Sequence, residues 1–188
     1  MDIRTRITEL LRSVNREGIE DVINYLDKSD FYTAPASTKF HCNYEGGLAE
    51  HSLNVYNNLK WLTDGKDFDP NSIIICAILH DICKTYFYTT EMRNKKVNGA
   101  WVQEPFYTVK DEMPLGHGEK SCFIISEFIK LTKEELYAIR WHMGLGEPKE
   151  NYNYMSEAFN KYPLAVYLHM ADLMATYITE VKGGENNG

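Results

Sequence analysis

Apolar residues recur at helical spacing along most of this chain. Ile3, Ile7, Leu10, Leu11 and Val14 predict one amphipathic helix, and Ile19, Val22, Ile23 and Leu26 a second, shorter one. Asp30 to Tyr44, with Pro35, several aromatic residues and small polar ones, reads as an ordered loop. Gly46-Gly47 then breaks the chain before a helix from about Leu48 to Leu62, whose apolar face includes Leu48, Val55, Leu59 and Leu62. Asp69-Pro70-Asn71-Ser72 is a helix-start signal. The helix predicted after it, Ile73 to about Lys84, is apolar nearly all round and so belongs in the middle of a core.

The period changes from Thr85 to Val109. Tyr86 to Thr90 and Trp101 to Val109 are rich in aromatic and β-branched residues and flank Asn98-Gly99, a turn dipeptide that tolerates positive φ at both positions. This predicts a β-hairpin inserted at about 85–110. Helices resume near His117 to Lys130, Thr132 to His142 and Tyr162 to Val181, with a short one within Asn151 to Asn160. Thr132 and Glu135 form a capping box. The fold class is therefore all-α, a helical bundle with a small hairpin insertion. One domain is expected over residues 1–182, with the helices of 1–30 packed on it and a Gly/Asn-rich, fraying tail at 183–188.

Length and composition fit that picture. The 188 residues suffice for a real core, and 44% hydrophobic with 25% charged residues is ordinary for a globular protein. A net charge of −7 argues against coating nucleic acid through bulk electrostatics. It is compatible with handling phosphate through a bound metal, which supplies positive charge locally. The N-terminus lacks the apolar stretch of a signal peptide, and the longest apolar run, Ile73 to Leu79, is too short to span a bilayer. Cys42, Cys76, Cys83 and Cys122 form no CxxC pair and read as buried thiols in a reducing compartment, so a cytoplasmic protein is expected.

Of the six histidines, His80 carries most information, because Asp81 follows it at the end of the most apolar helix. An ionised carboxylate buried beside an imidazole is costly unless paired, and both groups are ligands for divalent metals. Lys84 follows four residues after His80 and is placed to meet a phosphate oxygen or a leaving group. An isolated His-Asp dipeptide is more often a hydrogen-bonded pair than a metal site. Here, however, His51, His117, His142 and Asp172 stand on other predicted helices, and bundles build metal sites from inward-facing ligands on separate helices.

The ordered series Gly46-Gly-Leu-Ala-Glu-His51, Leu79-His-Asp81 with Lys84, Gly116-His-Gly118, Trp141-His142 and Ala171-Asp172 resembles the HD-domain superfamily of metal-dependent phosphohydrolases. It is similar to stand-alone bacterial or phage HD hydrolases and to the HD domain of certain 3′→5′ exoribonucleases, although no OB-like nucleic-acid module is visible. The resemblance implies His51, His80, Asp81 and Asp172 as ligands of one ion. It implies His117 and His142 as ligands of a second, with Asp81 bridging. Cys83 departs from the glycine that many members carry before the lysine, and the hairpin insertion, a candidate substrate lid, is a second departure. Glu50 and Glu119 are candidate partners for the outer nitrogens of ligand histidines, Arg140 is a candidate substrate contact, and His169 a supporting residue. His41, near the loop, reads as structural or as a residue supporting the ligands.

The implied function is hydrolysis of a phosphomonoester or phosphodiester by metal-activated water, with Asp81 and Lys84 as the catalytic residues. The substrate class is a small nucleotide or short oligonucleotide. One or two ions are expected, and nitrogen and oxygen ligands fit Mn, Fe, Ni, Co, Zn or Mg alike. A nucleotide-binding sensor and a di-iron oxygenase of the same bundle type are the alternatives, and a structural zinc site is disfavoured by the absence of cysteine ligands.

Overall fold

The computed structural model describes residues 1–181; the expected fraying tail lies outside the described residues. Eight α-helices and one hairpin are found among them: α1 (Ile3–Arg12), α2 (Ile19–Lys28), α3 (Gly47–Leu62), α4 (Pro70–Leu79), β1 (Tyr88–Val97), β2 (Ala100–Val109), α5 (His117–Ser126), α6 (Lys133–Trp141), α7 (Tyr152–Lys161) and α8 (Pro163–Met174). The all-α bundle with an inserted hairpin is the architecture observed.

Helix α4 is the axis of the bundle, as its all-round apolar sequence predicts. Ile75 through Leu79 have no exposed side chain, and α1, α3 and α6 pack around them, with α8 closing against α3 and α6. Ile7, Leu11, Val22 and Leu26 from the first two helices share this core with Leu59, Ile125, Ile139 and Leu168. Asp69 caps α4 by accepting from the Asn71 N–H, and Pro70 opens its first turn.

The hairpin pairs Tyr88 with Val109 through to Val97 with Ala100. Asn98 (φ 49°) and Gly99 (φ 85°) supply the two positive φ angles of a two-residue turn. Its outer half is solvent-exposed, and its base is tied down where the Tyr88 hydroxyl donates to the Ala36 carbonyl at 3.1 Å.

Two helix ends differ from the sequence expectation. The helix predicted through Lys84 stops at Leu79, because Asp81 (φ −106°, ψ 15°) leaves helical geometry, and a 3₁₀ turn, Ile82–Lys84, follows. Lys84 thus reaches Asp81 three residues back rather than continuing the face of His80. The helix predicted through Val181 is regular only to Met174, and Ala175–Thr179 form a wider π turn whose Glu180 N–H bonds the Ala175 carbonyl.

The capping box of α6 does more than cap. Glu135 is fully buried, and its two oxygens accept from Ser72 Oγ (2.7 Å), Arg16 Nη1 (2.6 Å) and the Thr132 N–H (2.8 Å). One carboxylate therefore ties α6 to the start of α4 and to the loop between α1 and α2. Burial raises the pKa of Glu135, but Arg16, Ser72 and Thr132 more than offset this and hold it below the usual value. A depressed folded-state pKa gives stability that is present above the unfolded pKa and is lost as pH falls through the folded one. Arg16→Ala, which strands the buried carboxylate, is expected to cost about 3 kcal/mol in denaturant unfolding at neutral pH. Glu135→Gln is expected to be less stable than wild type at neutral pH and to lose less stability on acidification from about pH 5 downward; unfolding curves at several pH values check both.

Candidate metal centre

Four helix ends and one helix interior converge at one end of α4. His51 comes from the second turn of α3, His80 from the C-cap of α4, His117 from the first residue of α5, His142 from the C-cap of α6 and Asp172 from α8. Asp81, whose side chain is 4% exposed, lies between them. Its Oδ2 faces His51 Nε2 (3.7 Å), His80 Nε2 (3.5 Å) and Lys84 Nζ (2.6 Å). Its Oδ1 faces His117 Nε2 (2.6 Å) and His142 Nε2 (3.5 Å). Asp172 Oδ1 lies 3.2 Å from His51 Nε2. All six residues singled out from the sequence are thus brought together, and the two oxygens of Asp81 divide the four histidines into two pairs.

The histidines are oriented from behind. His80 Nδ1 lies 2.9 Å from the Ala77 carbonyl and His142 Nδ1 lies 2.6 Å from the Ile139 carbonyl. A carbonyl only accepts, so each Nδ1 carries the proton and each Nε2 presents a lone pair to the centre. His51 Nδ1 is held by both oxygens of Glu180, at 3.0 and 3.2 Å. The Nε2 atoms of His80 and His142 are buried and have no hydrogen-bond partner, and that of His51, also buried, meets only Asp172 Oδ1 at 3.2 Å. Three buried imidazole nitrogens aimed beside two carboxylates, two of them unpaired, are costly by themselves and are the donor set a divalent cation takes. The residues therefore fit the metal that the sequence implies. Donor atoms of His51, His80 and Asp81 lie within 4.8 Å of one another, as do those of His80, His142 and Asp172.

Burial is the strongest influence on the proton balance at each of these groups. It pushes His80 down to about 4. At His51 the Asp172 and Glu180 carboxylates outweigh burial and lift the group to about 9. His142 is raised against burial by Asp81, whereas at His117 the neighbouring His142 and Lys84 add to burial and the pKa falls. Asp81 stays ionised well below its usual range despite burial, because the Lys84 ammonium, and with it the hydrogen bond from His117, stabilises its charge.

Sequence reasoning placed the supporting residues less well. Glu180 orients His51, and Glu50 and Glu119 do not. Glu50 lies beside the Tyr44 hydroxyl, and Glu119 is ion-paired with Arg140. Arg140 also pairs with Glu147 (3.0 Å) and stacks on Trp141. Neither Glu119 nor Arg140 lines the cleft over the metal centre. His169 does line it, with Nδ1 donating to the His142 carbonyl at 2.7 Å, a bond that fixes the end of α6. Gly144 (φ +53°) makes room for that ring, because a Cβ there would sit 2.3 Å from it.

Cys83 packs its buried thiol 3.4 Å from His117 Nδ1, and burial pushes that thiol up to about 12, so it stays protonated. Glu180 could have been found from its place eight residues after Asp172 only by foreseeing the π turn. On a regular helix eight residues leave it about 80° away from the Asp172 face, and the wider turn brings it round.

A cleft of about 900 Å³ opens over the centre, with Asp81, Lys84, Asp172, His41, Phe40 and Tyr177 among its lining. No hairpin residue lines it; the hairpin instead forms, with Thr38, Lys39 and Asn43, a neighbouring cleft of about 400 Å³. No helix among the described residues is long and apolar enough to cross a membrane.

The chain is similar to the dihydroneopterin 2′,3′-cyclic phosphate phosphodiesterase of Methanocaldococcus jannaschii, at 33% identity over 95 residues. The match covers 46% of this chain and 36% of that relative, so the chain corresponds to about a third of the relative's length. No solved structure matches. The HD domain family matches residues 48–176, from the start of α3 to the turn after α8, and encloses all six convergent residues. The chain belongs to the HD-domain family.

Proposed function

We propose that this protein is a metal-dependent phosphohydrolase that cleaves a phosphoester, most specifically a phosphodiester, in a small nucleotide-like molecule. The observation that carries this reading is the set of three buried imidazole Nε2 atoms, two of them unpartnered, around the two-faced Asp81 carboxylate at the floor of an open cleft. The similarity to a phosphodiesterase whose substrate carries a cyclic phosphate supports the reaction class. A cleft of about 900 Å³ suits a nucleotide-sized ligand, and the net charge of −7 favours a small substrate over a nucleic-acid lattice.

His51, His80, Asp81 and Asp172 would hold one divalent ion, and His117 and His142 would hold a second that shares Asp81. When bound, such ions lower the pKa of coordinated water and neutralise charge on the phosphoryl group. The residues of the chain prepare the rest. Ala77, Ile139 and Glu180 fix the ring orientations, so the site is organised before a substrate arrives. Lys84 Nζ, at the cleft wall, neutralises Asp81 and is within reach of a phosphoryl oxygen or leaving oxygen placed over it. Which ion is native (Mn, Fe, Ni, Co, Zn or Mg) is a matter for elemental analysis of the purified protein, because nitrogen and oxygen donors admit all of them.

Wild type is expected to purify with, or take up, one or two ions per chain and to hydrolyse 2′,3′-cyclic nucleotides or a generic phosphodiester. Asp81→Asn is expected to lose both properties while keeping its helical circular dichroism. A folded Asp81→Asn protein with undiminished metal content would overturn the assignment of the centre.

Lys84→Met is expected to keep its metal, while kcat falls on the order of 10²-fold. An unchanged kcat would reduce Lys84 to a counter-ion. The ion is also expected to stabilise the fold, by about 2.7 kcal/mol at a free concentration one hundred times its Kd. Thermal melts with and without a chelator read this directly, and an unshifted melt would argue against a buried site.

A further inference from the structure

The residues assigned so far leave one imidazole unexplained. His41 stands on the loop before α3, and both of its ring nitrogens are buried without a hydrogen-bond partner. Its ring lies 4.8 Å from that of His51, centroid to centroid, and it lines the same cleft as Asp81, Lys84 and Asp172.

Its position is built rather than incidental. The Ser37 hydroxyl donates to the His41 carbonyl at 2.7 Å, and the Ala36 N–H donates to the Cys42 carbonyl at 3.0 Å. Cys42 adopts a left-handed conformation, with φ at 42°. The loop then packs so tightly on the first turn of α3 that a Cβ at Gly47 would sit 2.0 Å from the Cys42 carbonyl oxygen. A loop held in a strained conformation that aims an unsatisfied imidazole into a cleft is not explained by packing, since an apolar side chain would fill the place without stranding two polar atoms. Among the described residues His51 is already committed: its Nδ1 belongs to Glu180 and its Nε2 to the centre. A His41 nitrogen also lies within 4.8 Å of donor atoms of His51 and Glu180, but those two residues are already bonded to each other through His51 Nδ1.

We infer that His41 is a substrate-binding residue, donating a ring N–H to a non-bridging oxygen of the phosphoryl group at the metal centre, with Lys84 serving the same group from the Asp81 side. The inference rests on the phosphohydrolase reading of the site. It assigns His41 to the substrate and not to the metal, which separates it from the six convergent residues. A neutral imidazole can supply one such N–H, and a turn of the ring toward the cleft it lines would bring one of its buried, unpaired nitrogens to the phosphoryl oxygen.

The test uses the full chain loaded with Mn²⁺, and inorganic phosphate as the probe, measured by calorimetric titration and as an inhibitor of phosphodiester hydrolysis. His41→Ala and His41→Phe are expected to keep the wild-type metal content and melting temperature, but to bind phosphate roughly 10- to 100-fold more weakly, the loss of one hydrogen bond to a charged group. His41→Gln, which retains an N–H, is expected to recover most of that affinity. Undiminished phosphate affinity in the alanine variant would overturn the inference and leave the hydrolase reading intact. Loss of metal from that variant would overturn it too, by making His41 a ligand. If wild type binds metal yet neither binds phosphate nor cleaves any ester, the functional reading itself fails, and this inference with it. Should the alanine variant not fold, the glutamine and phenylalanine variants still decide the matter, because both fill the place of the ring and only glutamine retains an N–H.

Discussion

A single buried carboxylate organises this molecule. Asp81 is held ionised in the interior, against a large desolvation penalty, by the Lys84 ammonium and the surrounding imidazoles. Such a group is tolerated only if its partners are in place. The partners come from α3, α4, α5 and α6, so the relative position of four helices is constrained at one point, and Asp172 of α8 joins it through His51. The apolar axis of α4 delivers Asp81 to that point, and the end of the helix at Leu79 turns the carboxylate out of the helical path into the space between the others.

The opposite end of α4 is fixed in a comparable way by a second buried carboxylate. Glu135 draws together Ser72, Arg16 and its own helix cap. The two differ in one respect that separates structure from function. The hydrogen bonds to Glu135 are complete within the protein, whereas around Asp81 the Nε2 atoms of His80 and His142 remain unmet. A folded protein rarely leaves such atoms unpaired where packing alone is at stake. That incompleteness is what sets the Asp81 end apart from the Glu135 end.

The layers behind the centre show how precision is obtained in a bundle. Backbone carbonyls three residues before His80 and His142 set those rings, and they are available because the histidines sit at helix C-caps, where carbonyls lack helical partners. Glu180 sets His51 through the π turn. His169 reaches back to the His142 carbonyl and fixes the end of α6. These contacts hold the donors in place without taking up the atoms that face the cleft, which is the condition for a site organised in advance.

The sequence by itself determined the elements and the chemistry. Periodicity marked the helices, the apolar run of α4 marked the core, Asn98-Gly99 marked the hairpin turn, and the ordered His and Asp residues marked the donors. Each of these is a local property: a repeat along the chain or a residue type at a helix end. What only the tertiary structure decided are relations between distant segments. The division of the donors between the two oxygens of Asp81 depends on the helix stopping at Leu79. Glu180 replaces Glu50 and Glu119 as an orienting carboxylate because a π turn shifts its phase, and Arg140 is taken up by Glu119 and Glu147 instead of facing the cleft. His41, which reads as a loop residue, acquires meaning only once Gly47 allows its loop to close on α3. Side-chain direction across a packed interface follows from helix phase, helix ends and close backbone approach, and none of these is set by the residue's neighbours in sequence alone.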